Sequence, residues 1–225
     1  EWVTPTLGQR TRDPLQALDG SIWWTGMWAS LVGRINPETG EMKEYPLPKT
    51  ARPHGIAEDP QGNIWYTGNH NGTVGKLDPD TGEITVYPMP DPEARDPHTP
   101  VFTRSGDLWF TLQNSHMIGR LVPDTGDIRL MKTPTEGARP YGLREDSRGM
   151  LWVAYRGAPA VARIDPDSWE VEEFETPNPN PESHHGNYYI RRLAIDSSDT
   201  IWYVDSGRGY LGRLTPETGE VEEWM

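Results

Sequence analysis

Short clusters of apolar residues alternate along the chain with runs rich in Gly, Pro, Asp and Thr, and no segment carries helical periodicity. An aliphatic residue followed by Trp recurs at Ile22-Trp23, Ile64-Trp65, Leu108-Trp109, Leu151-Trp152 and Ile201-Trp202, with Trp spacings of 42, 44, 43 and 50. A second signature follows each pair: Gly33-Arg34-Ile35, Gly75-Lys76-Leu77, Gly119-Arg120-Leu121, Ala162-Arg163-Ile164 and Gly212-Arg213-Leu214. A turn then closes each unit, as in Pro37-Glu38-Thr39-Gly40 and Pro79-Asp80-Thr81-Gly82, and it is degenerate at Pro166-Asp167-Ser168-Trp169. Pro fixes φ upstream and Gly takes the left-handed position that a tight β connection requires.

Each unit reads as four short strands, for example around Gly55-Ile56-Ala57, Ile64-Trp65-Tyr66, Val74-Gly75-Lys76-Leu77 and Ile84-Thr85-Val86-Tyr87. Four-stranded units at this period are the signature of propeller blades, which bury their faces against their neighbours. The expected fold is all-β: a β-propeller of four-stranded antiparallel blades, five of them countable. One domain is expected over 1–225, with blades at approximately 12–48, 54–91, 98–134, 141–176 and 191–225 and with residues 1–11 as an extra strand and leading loop. The last blade already carries a fourth strand at Val221-Glu222-Glu223-Trp224, which makes an N-terminal closing strand redundant. Either five blades close with local rearrangement or these residues belong to a longer array. The repeated Trp residues and the repeated cations Arg34, Lys76, Arg120, Arg163 and Arg213 read as structure, because a charge present in every blade serves every blade.

In such blades the first strand starts near the axis, on the face shared with the loop after the second strand. The residue eleven positions before each Trp gives Arg12, His54, His98, Tyr141 and Arg191, and the residue four after gives Met27, Asn69, Gln113, Arg156 and Ser206. This cationic, titratable set favours an anionic or carbonyl-rich small molecule, or a peptide. The last Trp spacing is the longest, and the extra length falls on Thr176 to Asn187, which holds the adjacent His184 and His185, a weak metal pair for want of other ligands.

Composition removes other classes. The net charge is −13, from 21 Lys and Arg against 34 Asp and Glu, so neither nucleic acid nor an anionic membrane is an expected partner. Ten Trp, nine Tyr and three Phe supply a core despite only 34% hydrophobic residues. With no Cys there is no thiolate catalysis, iron–sulfur cluster or covalently attached haem; no haem of any kind and no nucleotide is expected. No apolar run reaches the roughly 20 residues of a membrane helix, and Glu1-Trp2-Val3-Thr4-Pro5 is no signal peptide.

The combined motifs Pro53-His54-Gly55-Ile56, Gly62-Asn63-Ile64-Trp65, Gly33-Arg34-Ile35, Thr39-Gly40-Glu41 and Glu44-Tyr45-Pro46-Leu47-Pro48 resemble the virginiamycin B lyase family over essentially the whole chain. The resemblance implies Mg²⁺-assisted elimination that opens a cyclic depsipeptide. It maps the family's Arg-Pro-His onto Arg52-Pro53-His54 and its Glu-Pro-His onto Asp96-Pro97-His98, while Gln113 stands where the family has a Glu. His54, His98 and Asp96 are thus the implied catalytic residues, His98 as the base, and Asp96 and Gln113 the implied Mg²⁺ ligands. The neutral amide of Gln113 weakens that metal site. Asp205, one residue before the corresponding position in the last blade, should point to the opposite face of its strand. Arg12, Arg52, Tyr141, Arg156 and Arg191 are the expected ligand-binding set. Relatives of this kind are often exported, and a chain starting at Glu1 fits a mature form, with cytoplasmic residence left open. Three functions stay in view: a metal-assisted lyase, a non-catalytic binding propeller, and a scaffold whose acidic surface docks a partner protein.

Overall fold

The structure, a computed structural model, describes residues 1–177 and 189–225. The described residues form five four-stranded antiparallel sheets with strands in sequential order, the fold of a β-propeller, and no helix long and apolar enough to cross a membrane. The first sheet holds β1 (Thr11–Gln16), β2 (Ile22–Gly26), β3 (Leu31–Ile35) and β4 (Met42–Pro46). The second holds β5 (Pro53–Glu58), β6 (Ile64–Gly68), β7 (Thr73–Leu77) and β8 (Ile84–Pro88). The third holds β9 (Pro97–Phe102), β10 (Leu108–Leu112), β11 (Met117–Leu121) and β12 (Ile128–Lys132). The fourth holds β13 (Pro140–Glu145), β14 (Leu151–Tyr155), β15 (Ala160–Ile164) and β16 (Val171–Glu175). The fifth holds β17 (Ile190–Ile195), β18 (Ile201–Asp205), β19 (Tyr210–Thr215) and β20 (Glu220–Trp224). Contacts divide the chain into two compact units, residues 1–110 with 120–128 and residues 111–119 with 129–225.

The repeated Trp is the centre of each sheet. Trp23, Trp65, Trp109 and Trp152 are at most 2% exposed, so each indole N–H must find an acceptor inside the protein. The turn between the first two strands supplies it. Asp59 Oδ1 accepts the backbone N–H groups of Gln61 and Asn63 while its Oδ2 accepts Trp65 Nε1 at 2.8 Å. Asp146 holds Trp152 in the same way at 2.8 Å, Asp196 holds Trp202 at 2.8 Å, and in the first sheet Ser21 Oγ takes Trp23 Nε1 at 3.0 Å. The repeated cations lie over these rings, with Arg34 and Lys76 each 5.8 Å and Arg120 6.0 Å from their centroids, the structural role expected of them.

The residue after each Trp explains the Gly of the second signature. Trp24, Tyr66 and Tyr203 lie flat across Gly33, Gly75 and Gly212, where a Cβ would come within 2.1, 2.1 and 2.0 Å of the ring. The fourth sheet replaces this Gly by Ala162, and the residue facing it is the smaller Val153. Glu223 accepts the buried Tyr203 hydroxyl at 2.9 Å, whereas Val86 takes the matching place on β8, and Tyr66, with no hydrogen-bond partner among the described residues, is pushed up to about 12 by burial.

Within the first unit, Trp23, Val32 and Tyr45 of the first sheet meet Ile56, Ile64 and Leu77 of the second. Within the second, Trp152, Ala154 and Val161 meet Leu193, Ile201 and Leu214. The fifth sheet exposes Val204 and Leu211, which lie outside this cluster.

One expectation fails. Residues 1–10 form no strand. They are held by side chains instead: Thr6 donates its backbone N–H and its hydroxyl to Glu44, and Gln9 Nε2 reaches the same carboxylate at 3.1 Å while its Oε1 accepts Trp24 Nε1 at 2.7 Å. This segment donates to Glu44 and accepts from the buried Trp24 indole without forming a strand of its own. The degenerate turn also stands, because Trp169 adopts φ 65° where Gly40 has 76°, and the Arg129 guanidinium sits 4.1 Å above its ring.

Asp59→Ala removes the acceptor of one indole and two backbone donors and is expected to cost about 2–4 kcal/mol in urea unfolding. Lys76→Gln, which loses only the cation over the ring, is expected to cost less than about 1 kcal/mol.

Candidate functional site

All five residues placed eleven before Trp occupy the second position of a first strand: Arg12, His54, His98, Tyr141 and Arg191. In the first, second, fourth and fifth sheets the pairing with the second strand slips at this point, between Thr11 and Pro14, Pro53 and Ile56, Pro140 and Leu143, and Ile190 and Leu193. A bulge releases its residue from strict alternation and re-aims the side chain. Arg12, His54, Tyr141 and Arg191 are therefore presented by the same backbone device. Asn69, Gln113, Arg156 and Ser206 each follow directly on the end of a second strand.

In the first unit the starts of β5 and β9 are pressed together. A Cβ on Gly55 would lie 2.1 Å from the carbonyl oxygen of His98, so only Gly allows this approach. Thr67, fully buried on β6, bridges the two strands: its hydroxyl accepts Gly55 N–H at 2.8 Å and donates to His98 O at 2.8 Å. Thr25 donates to His54 O at 2.8 Å from the preceding sheet, and Asn69 Nδ2 reaches Pro97 O at 3.2 Å. The outcome is a pair of buried imidazoles, His54 and His98, with ring centroids 3.7 Å apart and planes inclined by 36°. Asp13 Oδ2 lies 3.8 Å from His54 Nδ1, and His98 Nδ1 is hydrogen-bonded to Thr99 Oγ1 at 3.0 Å.

The structure thus brings His54 and His98 together and adds three residues the motifs did not flag: Asp13, Thr67 and Thr99. Asp96 is buried directly before β9, the strand that carries His98. Arg12 keeps a buried Nε without a hydrogen-bond partner. Arg52 is exposed and left-handed at φ 41°, its N–H held by Ser30 Oγ at 3.2 Å.

The donor set does not fit a resident Mg²⁺. Among the described residues no group of three or more His, Asp or Glu side chains converges as a metal site. Gln113, in the other unit, offers a neutral amide whose Nε2 donates to Asn114 Oδ1 at 3.3 Å. A hard divalent ion needs carboxylate charge. Asp205 is no substitute: it is fully buried and engaged by Arg208 Nε at 2.6 Å. His184 and His185 lie outside the described residues.

In the second unit the structure joins two residues drawn from separate alignments. Arg156 and Arg191 both donate through Nη2 to the hydroxyl of Tyr189, Arg191 at 2.7 Å, and each guanidinium carbon lies 4.3 Å from the Tyr189 ring centroid. Tyr189 stands thirteen residues before Trp202, the register of Arg52 and Asp96, and that register was the signal available in the sequence. Tyr141 lies apart from this trio, its ring 5.6 Å from the Arg192 guanidinium and its carbonyl accepting Thr111 Oγ1 at 2.9 Å. Burial pushes the Tyr189 phenol up, but hydrogen bonds from Arg191 and Arg156 and their charges outweigh it and hold the group below the ordinary tyrosine value. Arg191→Gln should therefore move this ionisation upward. A pH titration of phenolate absorbance, with Tyr189→Phe identifying the band, reads the shift.

Comparison with known proteins agrees with this architecture. No curated protein matches the chain by sequence. The crystal structure of virginiamycin B lyase from Staphylococcus aureus is 30% identical, with a TM-score of 0.87 over 98% of this chain and 71% of that one. A catalytically inactive His-to-Ala variant of the same enzyme with quinupristin matches equally, at 30% identity and a TM-score of 0.87 over the same 98% and 71%. A gluconolactonase from Xanthomonas campestris, at 17% identity and a TM-score of 0.67 over 96% of this chain and 75% of that one, shares the fold alone. The profile of the Virginiamycin B lyase family covers residues 6–225, and the chain belongs to that family.

Proposed function

We propose that the chain is a carbon–oxygen lyase acting on a carbonyl-bearing ester at the His54–His98 pair. The observation that carries this reading is the close contact of two buried imidazoles, with the Asp13 carboxylate beside His54. Two rings 3.7 Å apart do not both carry charge readily. Asp13, 3.8 Å from His54, favours the proton on His54 and leaves His98 neutral, as a base must be. With Nδ1 protonated and donating to Thr99 Oγ1, the basic lone pair of His98 is on Nε2.

His98 takes a proton from the carbon α to a carbonyl. The electron pair freed forms a C=C bond, and the C–O bond at the adjacent carbon breaks to release a carboxylate. Arg12, with an unsatisfied buried Nε–H, and His54 as imidazolium supply the positive charge that the developing enolate needs. Thr67 is a positioning residue, because it sets the separation of the two histidine-bearing strands. None of these steps runs through a metal. The inactive His-to-Ala relative supports a histidine-dependent reaction in this family.

Quinupristin and simple O-acylated β-hydroxy amides, followed by mass spectrometry, test the reading. Elimination from a ring gives a product of unchanged mass, whereas hydrolysis adds a water. His98→Ala is expected to lower the rate by about 10²–10⁴, and Thr67→Val to lower kcat more than it changes KM. A hydrolysed product, no turnover of either ester class, or activity indifferent to His98→Ala overturns the proposal.

A further inference from the structure

Carboxylates outnumber cations in this chain by 34 to 21, and several arginines pair with them. Arg34 meets Asp19, Arg120 meets Asp107, Arg163 meets Glu172, Arg213 meets Glu222, and Arg208 meets both Asp205 and Glu223. Arg156 and Arg191 are different. Among the described residues neither forms an ion pair, and both turn instead to one neutral hydroxyl, that of Tyr189. Arg156 also keeps its Nε buried and without a hydrogen-bond partner. The nearest carboxylate in the hydrogen-bond network, Asp205, accepts the Tyr189 backbone N–H at 3.0 Å but is already neutralised by Arg208 at 2.6 Å.

Two guanidiniums held on one aromatic ring, with no counter-ion among the described residues, are an arrangement short of negative charge. The ring fixes them through cation–π contact at 4.3 Å each, which lowers the entropy lost when they bind an anion. The backbone beneath is pinned on both sides, by Asp205 at the Tyr189 N–H and by Ser206 Oγ at its carbonyl, 3.3 Å away. Having accepted two hydrogen bonds, the Tyr189 hydroxyl retains its own proton to donate.

We propose that Arg156, Tyr189 and Arg191 form an oxyanion site, which takes a carboxylate or phosphate group of a small ligand through the two guanidiniums and the phenol proton. The site is built within the second compact unit and owes nothing to the His54–His98 pair.

Calorimetric titration of the whole chain at constant ionic strength, with inorganic phosphate in one arm and succinate in the other, tests it. Saturable binding in either arm is expected, and the stronger arm names the ligand class. Arg191→Gln, an exposed change that leaves folding intact, and Arg156→Gln should each weaken binding at least tenfold, and Tyr189→Phe several-fold. Arg213→Gln, whose guanidinium is paired with Glu222, should leave it unchanged. Absence of binding in both arms overturns the proposal. So does equal weakening by Arg213→Gln, which would mark the effect as diffuse charge.

Discussion

A buried tryptophan carries one polar hydrogen, and the first, second and fourth sheets of this protein are organised around giving that hydrogen an acceptor. Where Asp59, Asp146 or Asp196 provides it, the same carboxylate also ties the turn before the second strand. An unsatisfied buried donor costs about 1–3 kcal/mol, more than the roughly 0.5–1 kcal/mol of a half-exposed cation over a ring. The carboxylate therefore sets the position of the indole, and the Arg or Lys above it follows. Once the indole is fixed, the next side chain is laid across the third strand, and the Gly of that strand is the space it needs.

From this frame the sites arise by departures from regularity. In the first, second, fourth and fifth sheets the second residue of the first strand sits where the ladder slips, and side chains with chemistry to offer collect there. Gly55 lets the starts of β5 and β9 approach until the rings of His54 and His98 lie 3.7 Å apart, and Thr67 records the approach in two hydrogen bonds. In the second unit the same position brings Arg191 to Tyr189, with Arg156 arriving from the end of a second strand. One scaffold rule thus yields an imidazole pair in one unit and a guanidinium pair in the other.

The repeat made the strands, their order and the register of the axial positions legible, because spacing between Trp residues is a one-dimensional property. His54 and His98 were legible as members of that register. Their contact was not, since it depends on a bulge in β5 and on a backbone approach of Gly55, and neither leaves a periodic trace. Thr67 escaped notice because a Thr in a strand is ordinary until its two partners are known. Asp13 lies one residue from Arg12, but the slip in β1 decides where it points. Residues 1–10 resembled a fourth strand in composition, yet side-chain bonds to Glu44 and Trp24 hold them without one.

The carboxylate lock lies wholly inside its own sheet: Asp59 and Trp65 are six residues apart, as are Asp146 and Trp152. A unit whose most demanding hydrogen bond is satisfied internally can be copied or deleted in the gene without stranding a donor elsewhere. Lineages carrying such a repeat can change the number of sheets while leaving each one's interior untouched, and the junctions between sheets are then where selection acts.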